Sequence, residues 1–153
     1  MTTKTSTPST DTTLVMKRTF AAPRAKVFEA WTAPAMLGRW FAASDAYQPV
    51  VAEVDLRVGG KYRMGMKHQE KGTVHTATGV YREIVQDERL VFTWEWEGDG
   101  SEGESLITVS LTETAGKTEM IFKHEFFPTK ESRDEHEKGW TGCFSKLGET
   151  VGR

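Results

Sequence analysis

A single cysteine, Cys143, stands among 153 residues, so no internal disulfide can staple this chain. Its first stretch, MTTKTSTPSTDTT, has no apolar core and too few arginines for a transit peptide. Together these features lead us to expect a cytoplasmic protein kept reduced. Long apolar runs are missing as well. Nothing approaches the ~20 residues of a membrane helix, so no membrane partner is expected. Excess charge of one sign is also absent: 20 Lys and Arg face 22 Asp and Glu. That balance leaves no basic footprint for nucleic acid and no electrostatic tail. A chain of this length buries roughly two-thirds of the surface it exposes when unfolded, so one domain can hold together without a metal.

What the chain does have is aromatic and sulfur-bearing side chains: 5 Trp, 8 Phe, 3 Tyr and 6 Met. Residues 1–12 read as a flexible polar tail, and 13–153 as a single domain. Residues 13–20, TLVMKRTF, are rich in β-formers and predict a first strand. Pro23 then opens a short helix with Val27, Phe28 and Trp31 on one face. Thr32 and Pro34 sit where a second short helix begins, with Thr32 as its cap and Leu37, Trp40 and Phe41 as its apolar face. From there to about residue 127 the pattern alternates with period two. It predicts strands near 48–56, 60–67, 73–85, 88–97, 104–112 and 117–126. Short turn-forming connections join them, which implies an antiparallel meander.

The last 25 or so residues change period. At 100° per residue from Trp140, Phe144 lies at about +40°, Leu147 at about −20° and Val151 at about +20°. This predicts a long closing helix with a narrow aromatic stripe. Its Gly139, Gly142 and Gly148 suggest close backbone approach or a loosely held helix. One helix cannot cover a flat sheet of seven strands, so the sheet must curl around it. The fold class is therefore α+β, a curved seven-stranded antiparallel sheet gripping a long C-terminal helix, with two short helices after the first strand.

Alternation also predicts the inward faces. They comprise Val50, Val54 and Leu56; Tyr62, Met64 and Met66; and Leu90, Phe92, Trp94 and Trp96. Ile107, Val109 and Leu111 follow, then Met120, Phe122, His124 and Phe126. Such a set favours Trp, Tyr, Phe and Met over the Leu, Ile and Val of an ordinary core. Large apolar area with few polar handles, and Met that adapts to irregular shapes, suit the lining of a pocket.

The chain carries RTFAAP at 18–23, VFEAWT at 27–32 with Pro34, and Trp40-Phe41. DLRVGGKY at 55–62, Gly79 with Tyr81, ERLVFTW at 88–94, and His136 with Gly139-Trp140 follow. In this order and spacing they resemble the START/Bet v 1-like (SRPBCC) superfamily, within it the branch named after the activator of the heat-shock-protein-90 ATPase (Aha1-like). The resemblance spans roughly residues 14–152 and implies the helix-grip fold. Related folds hold lipids, sterols, plant hormones and polyketide intermediates, and a few are cyclases or hydrolases. The eukaryotic activator binds its chaperone with the help of an additional N-terminal domain that these 153 residues do not accommodate.

Reactive-looking groups separate on helical geometry. His136 and Cys143 are seven residues apart, ~10.5 Å along a helix, too far to share a zinc ion whose ligands sit at ~2.0–2.3 Å. Neither a histidine nor a carboxylate stands three or four residues from Cys143, which reads as a small buried core residue. Residues 98–103, GDGSEG, spell a dinucleotide fingerprint. They precede a strand where that motif needs a helix, so they read as a hairpin loop. Arg133 is either an anion anchor near a pocket mouth or one half of a salt bridge. Asp55 to Gly60 forms a tight turn in which Asp55 can bind backbone amides.

We therefore expect a non-enzymatic domain binding a small hydrophobic or aromatic molecule between sheet and helix. The pocket is expected to involve Trp31, Trp40, Tyr62, Met64, Met66, Phe92, Trp94, Met120, Phe122, His124, His136, Trp140 and Phe144. Neither a catalytic residue, a metal nor a cofactor is expected. One alternative is a cyclase or hydrolase using His124 or His136 in the same pocket. Another is a co-chaperone-like interaction module, and an exposed edge strand leaves room for a protein partner or a homodimer.

Overall fold

The computed structural model describes residues 10–98 and 101–152. Its elements follow the order β1 (Thr13–Phe20), α1 (Arg24–Thr32), α2 (Pro34–Trp40), β2 (Tyr47–Val54), β3 (Lys61–His68), β4 (Val74–Val85), β5 (Arg89–Trp96), β6 (Ser105–Thr114), β7 (Lys117–Glu125) and α3 (Lys130–Val151). The strands form one antiparallel sheet in the order β1-β7-β6-β5-β4-β3-β2. β2 to β7 run as a meander, and β1 returns beside β7. The helix-grip architecture expected from the alternation is thus the one the chain adopts. Among the described residues no helix is long and apolar enough to cross a membrane.

Local chemistry sets the ends of the long helix. Thr129 is the N-cap of α3, and its hydroxyl accepts the Ser132 amide at 3.0 Å, satisfying one of the orphan donors of the first turn. Trp140, Phe144, Leu147 and Val151 are buried along α3, as the stripe predicts. Gly142 explains why the helix carries glycine there. A Cβ at that position would lie 1.7 Å from the Ala43 carbonyl oxygen, so the helix touches the backbone between α2 and β2 directly. Of the two readings for these glycines, close approach is the one realised at Gly142, against a loop and not the sheet.

The interior is built around Trp31 of α1. Its indole packs edge-on against Trp40 at 4.8 Å and lies about 6 Å from Phe92, Phe122, Trp140 and Phe144. Rings from both short helices, the sheet and α3 thereby close one half of the space between sheet and helix. Offset and edge-on ring pairs of this kind add ~0.5–1.5 kcal/mol each beyond the area they bury.

Several expectations need correction. Thr32 does not cap α2, because its hydroxyl bonds back to the Phe28 carbonyl at 2.9 Å and Ala33 is the N-cap. Val50 and Leu56 are exposed rather than inward. A register shift between Pro49 and Val51 makes Val50 the extra residue of a bulge, and Leu56 lies beyond the end of β2; Val54 packs on the core as expected, and Ala52 joins it. Val91 and Thr93, which alternation with Leu90, Phe92 and Trp94 would turn outward, are buried, and the Thr93 hydroxyl takes the Val80 amide at 2.8 Å. Phe126 is 64% exposed and Phe127 is buried in its place. Phe126 has φ 73°, a left-handed conformation that breaks the alternation just after β7. Asp55 binds the Arg57 guanidinium at 2.9 Å, not backbone amides, while Gly59 has the positive φ the turn requires. The hairpin loop reading of 98–103 holds for its described residues; Asp99 and Gly100 lie outside them. Of the segment read as a polar tail, residues 1–9 also lie outside. Thr12 is described, and its carbonyl accepts the Phe127 amide.

Candidate functional site

The other half of the sheet–helix space is open. A cavity of about 490 Å³ lies between the first turns of α3, the connection from α2 to β2, and β3 to β5. Tyr47, Met66, Trp94 and Trp96 supply its sheet side, Phe41, Ala43 and Ser44 the connection, and His136, Gly139, Trp140 and Cys143 the helix. Four of the thirteen residues named from sequence, Met66, Trp94, His136 and Trp140, line it. The other nine, Trp31, Trp40, Tyr62, Met64, Phe92, Met120, Phe122, His124 and Phe144, are buried in the core beside it.

What sequence reading missed is the wall made by Phe41, Ala43, Ser44 and Tyr47. Phe41, Ala43 and Ser44 belong to irregular backbone, where no periodicity assigns a face, and Tyr47 is the first residue of β2, just ahead of the strand expected from about residue 48. The aromatics Phe41 and Tyr47 so close together were the one available signal. This wall is tied down on both sides. The Ala43 amide meets the Met66 sulfur at 3.4 Å, the Gln69 amide donates to the Ala46 carbonyl at 2.8 Å, and Lys146 of α3 reaches Asp45 at 2.7 Å.

Two histidines meet across the strand–helix gap, His124 of β7 and His136 of α3, with ring centroids 5.3 Å apart. Phe127 packs against both, at 4.2 and 4.8 Å. Each histidine accepts an indole N–H, and indole can only donate. Trp140 Nε1 donates to His124 Nδ1 at 3.3 Å. His124 must therefore carry its proton on Nε2, which donates to Ser105 Oγ at 2.7 Å, and the Ser105 hydroxyl in turn donates to the Trp94 carbonyl at 3.1 Å. Trp96 Nε1 likewise donates to His136 Nε2 at 3.0 Å, while His136 Nδ1–H donates to the Ser132 carbonyl at 2.8 Å.

Both imidazoles are thus neutral, with every nitrogen engaged. Burial, and secondarily the neighbouring His136, hold His124 well below its ordinary value. Burial also lowers His136, against the opposing pull of the Ser132 carbonyl, Glu102 and Glu135. The buried Ser105–His124 pair looks like a nucleophile with its base, yet the basic lone pair of His124 is occupied by Trp140. The histidine donates to the serine and does not activate it.

Cys143 is fully buried, and desolvation pushes its thiol up to about 12, so it forms part of the wall as an inert thiol. Arg133 pairs with Asp134 at 2.6 Å and donates to the Thr10 carbonyl; of its two readings, the salt bridge is the one realised. Glu135 and Lys138 pair with each other at the exposed rim of the cavity, 3.3 Å apart.

Comparison with known proteins agrees with this frame. Protein CV1439 from Chromobacterium violaceum is 26% identical and superposes with a TM-score of 0.86, over 94% of this chain and 99% of its own. A protein from Rhizobium leguminosarum is 28% identical with a TM-score of 0.75, over 91% and 93% of the two chains. The AHSA1 protein from Silicibacter pomeroyi, 23% identical over 90% and 95% of the two chains, shares the fold with a TM-score of 0.78. No curated protein matches the chain. The model of the family described as Activator of Hsp90 ATPase homolog 1-like protein matches residues 21–152. With that span the chain belongs to the Activator of Hsp90 ATPase homolog 1-like family.

Proposed function

We propose that this protein binds a small, predominantly apolar or aromatic molecule in the cavity between β3–β5, the α2–β2 connection and the first half of α3. One observation carries the reading: a cavity of about 490 Å³ walled by Phe41, Tyr47, Met66, Trp94, Trp96 and Trp140. Ligand pockets commonly fall at roughly 300–1,000 Å³ and combine apolar walls with a few polar groups. Here the polar groups are Ser44, His75 and His136, with Glu135 and Lys138 at the rim. In this reading the packed rings around Trp31 form a rigid floor rather than a contact surface. A non-enzymatic role is favoured because each histidine would first have to release its indole donor before acting as a base. The single buried thiol is in keeping with a reducing cytoplasm as the place of action.

Native mass spectrometry of freshly purified protein tests the reading. We expect a small-molecule mass carried with the folded chain and lost on denaturation. Bare polypeptide alone, together with no thermal shift across a panel of aromatic and lipid-like compounds, would sink it.

A further inference from the structure

A second cavity, of about 610 Å³, adjoins the first on the outer side. Thr76, Glu97, Glu102, Thr129, Glu131 and Ser132 add hydroxyl and carboxylate groups to its lining. The two cavities share His75, Trp96, Glu135 and His136 as common wall. Within that wall, the hydrogen bond from Trp96 Nε1 to His136 Nε2 joins the sheet to α3 at 3.0 Å. Trp96 and His136 are both only partly buried, and beside this bond both rings pack on Trp94, at 5.3 and 6.5 Å.

The bond exists in one protonation state only. His136 Nδ1–H is committed to the Ser132 carbonyl at 2.8 Å, leaving the Nε2 lone pair as the acceptor for the indole. A proton taken up by the ring adds to that same lone pair. Nε2 then becomes a donor facing another donor, and the bond is lost. Groups around the ring bear on this equilibrium from each side. Glu135 on α3 and Glu102 from the β5–β6 connection favour the cation. His124 from β7, 5.3 Å away, is fully buried and adds no charge while neutral. His75 from β4 shares the wall, Glu97 of the β5 end lines the outer cavity, and Lys138 lines the inner one. His124 also accepts an indole, yet it is sealed from solvent, so His136 is the histidine within reach of a proton.

We propose that the Trp96–His136 pair is a proton-operated partition, keeping the two cavities apart while His136 is neutral and joining them when it is protonated. Its consequence for ligand residence rests on the ligand-binding reading above, whereas the opening itself does not. Burial lowers the affinity of His136 for a proton, which puts the opening on the acid side of neutrality. A molecule seated in the inner cavity then gains a second way out.

The test uses the full chain with no ligand first. In indole ¹⁵N spectra taken from about pH 7.5 to about pH 5, the Trp96 Nε1–H resonance should move upfield with the midpoint of the His136 ring. His136→Gln, which offers a carbonyl acceptor that does not titrate, should abolish that movement, and His75→Gln should preserve it. The second arm follows dissociation of the neutral dye N-phenyl-1-naphthylamine. Release should quicken roughly fivefold on acidification in the unaltered protein, the scale set by losing one neutral hydrogen bond, and stay level in His136→Gln. A Trp96 resonance that ignores the His136 titration overturns the partition, as does an equal acid response of dye release in His136→Gln. If the dye does not bind at all, the ligand-binding reading loses support and the indole resonance alone decides the partition.

Discussion

Trp140 donates its indole N–H to Nδ1 of His124 at 3.3 Å, and through that bond α3 is fastened to β7 by two buried side chains. The bond also fixes the His124 tautomer and, through Ser105, ends on the Trp94 backbone. Trp140→Phe keeps a ring in place while leaving a buried acceptor without its donor, at a cost of ~1–3 kcal/mol. Urea denaturation should register that loss with an unchanged far-ultraviolet spectrum. A variant as stable as the parent would remove the fastening role.

Two neutral histidines, His124 buried and His136 partly so, also give stability a pH dependence of definite sign. Both are held below the ordinary value of 6.5 in the folded state, so the unfolded chain binds protons more readily. Stability from this source is fully present above that value and is lost as pH falls below it toward the folded values. Melting temperature should therefore be level from about pH 8 to about pH 7 and decline below about pH 6.5. His124→Gln should flatten the decline. Melting that rises between pH 7 and pH 5.5 would contradict the assignment of neutral rings.

Gly139 and Gly142 stand on one helix and should respond oppositely to alanine. At Gly142 the added methyl meets the Ala43 carbonyl at 1.7 Å, whereas at Gly139 it meets only the Ala43 Cβ at 3.8 Å. Gly139→Ala should gain about 0.5–1 kcal/mol from helix propensity. Gly142→Ala should lose stability, because backbone must shift to admit it. Thermal melts of the two variants check this directly, and a stabilised Gly142→Ala would show that α3 does not touch that loop.

The packed and open halves of the interior should be distinguishable by truncation. Trp31 contacts five other rings and is 1% exposed, so Trp31→Ala should cost ~3–5 kcal/mol. Tyr47 lines the cavity and is only partly buried, so Tyr47→Ala should cost clearly less, on the order of 1 kcal/mol. Chemical denaturation of both variants gives the ordering, and a reversal would put the cavity where the core is drawn.

Much of this architecture was legible because periodicity reports faces wherever the backbone is regular. The alternation of Tyr62, Met64 and Met66 and the helical stripe from Trp140 to Val151 correspond to buried positions. Legibility failed where the backbone departs from period. The bulge at Val50 and the positive φ of Phe126 each shifted the inward face by one residue. The cavity wall from Phe41 to Ser44, between α2 and β2, has no period to read. Nor could alternation tell a packed interior from an open one, since Trp31 and Trp94 look alike in a pattern. The difference arises from α1 driving Trp31 into the sheet, a tertiary fact.

The most direct test of the central claim is whether an apolar probe occupies this cavity and no other place. N-phenyl-1-naphthylamine, titrated into the protein and into Gly139→Leu, should bind the parent with one-to-one stoichiometry and quench emission from the lining tryptophans. Gly139→Leu should melt no lower than the parent, because leucine favours helix over glycine, yet bind at least about tenfold more weakly as its side chain takes up cavity space. Equal binding to both proteins, or none to the parent, would contradict a ligand site between α3 and the sheet.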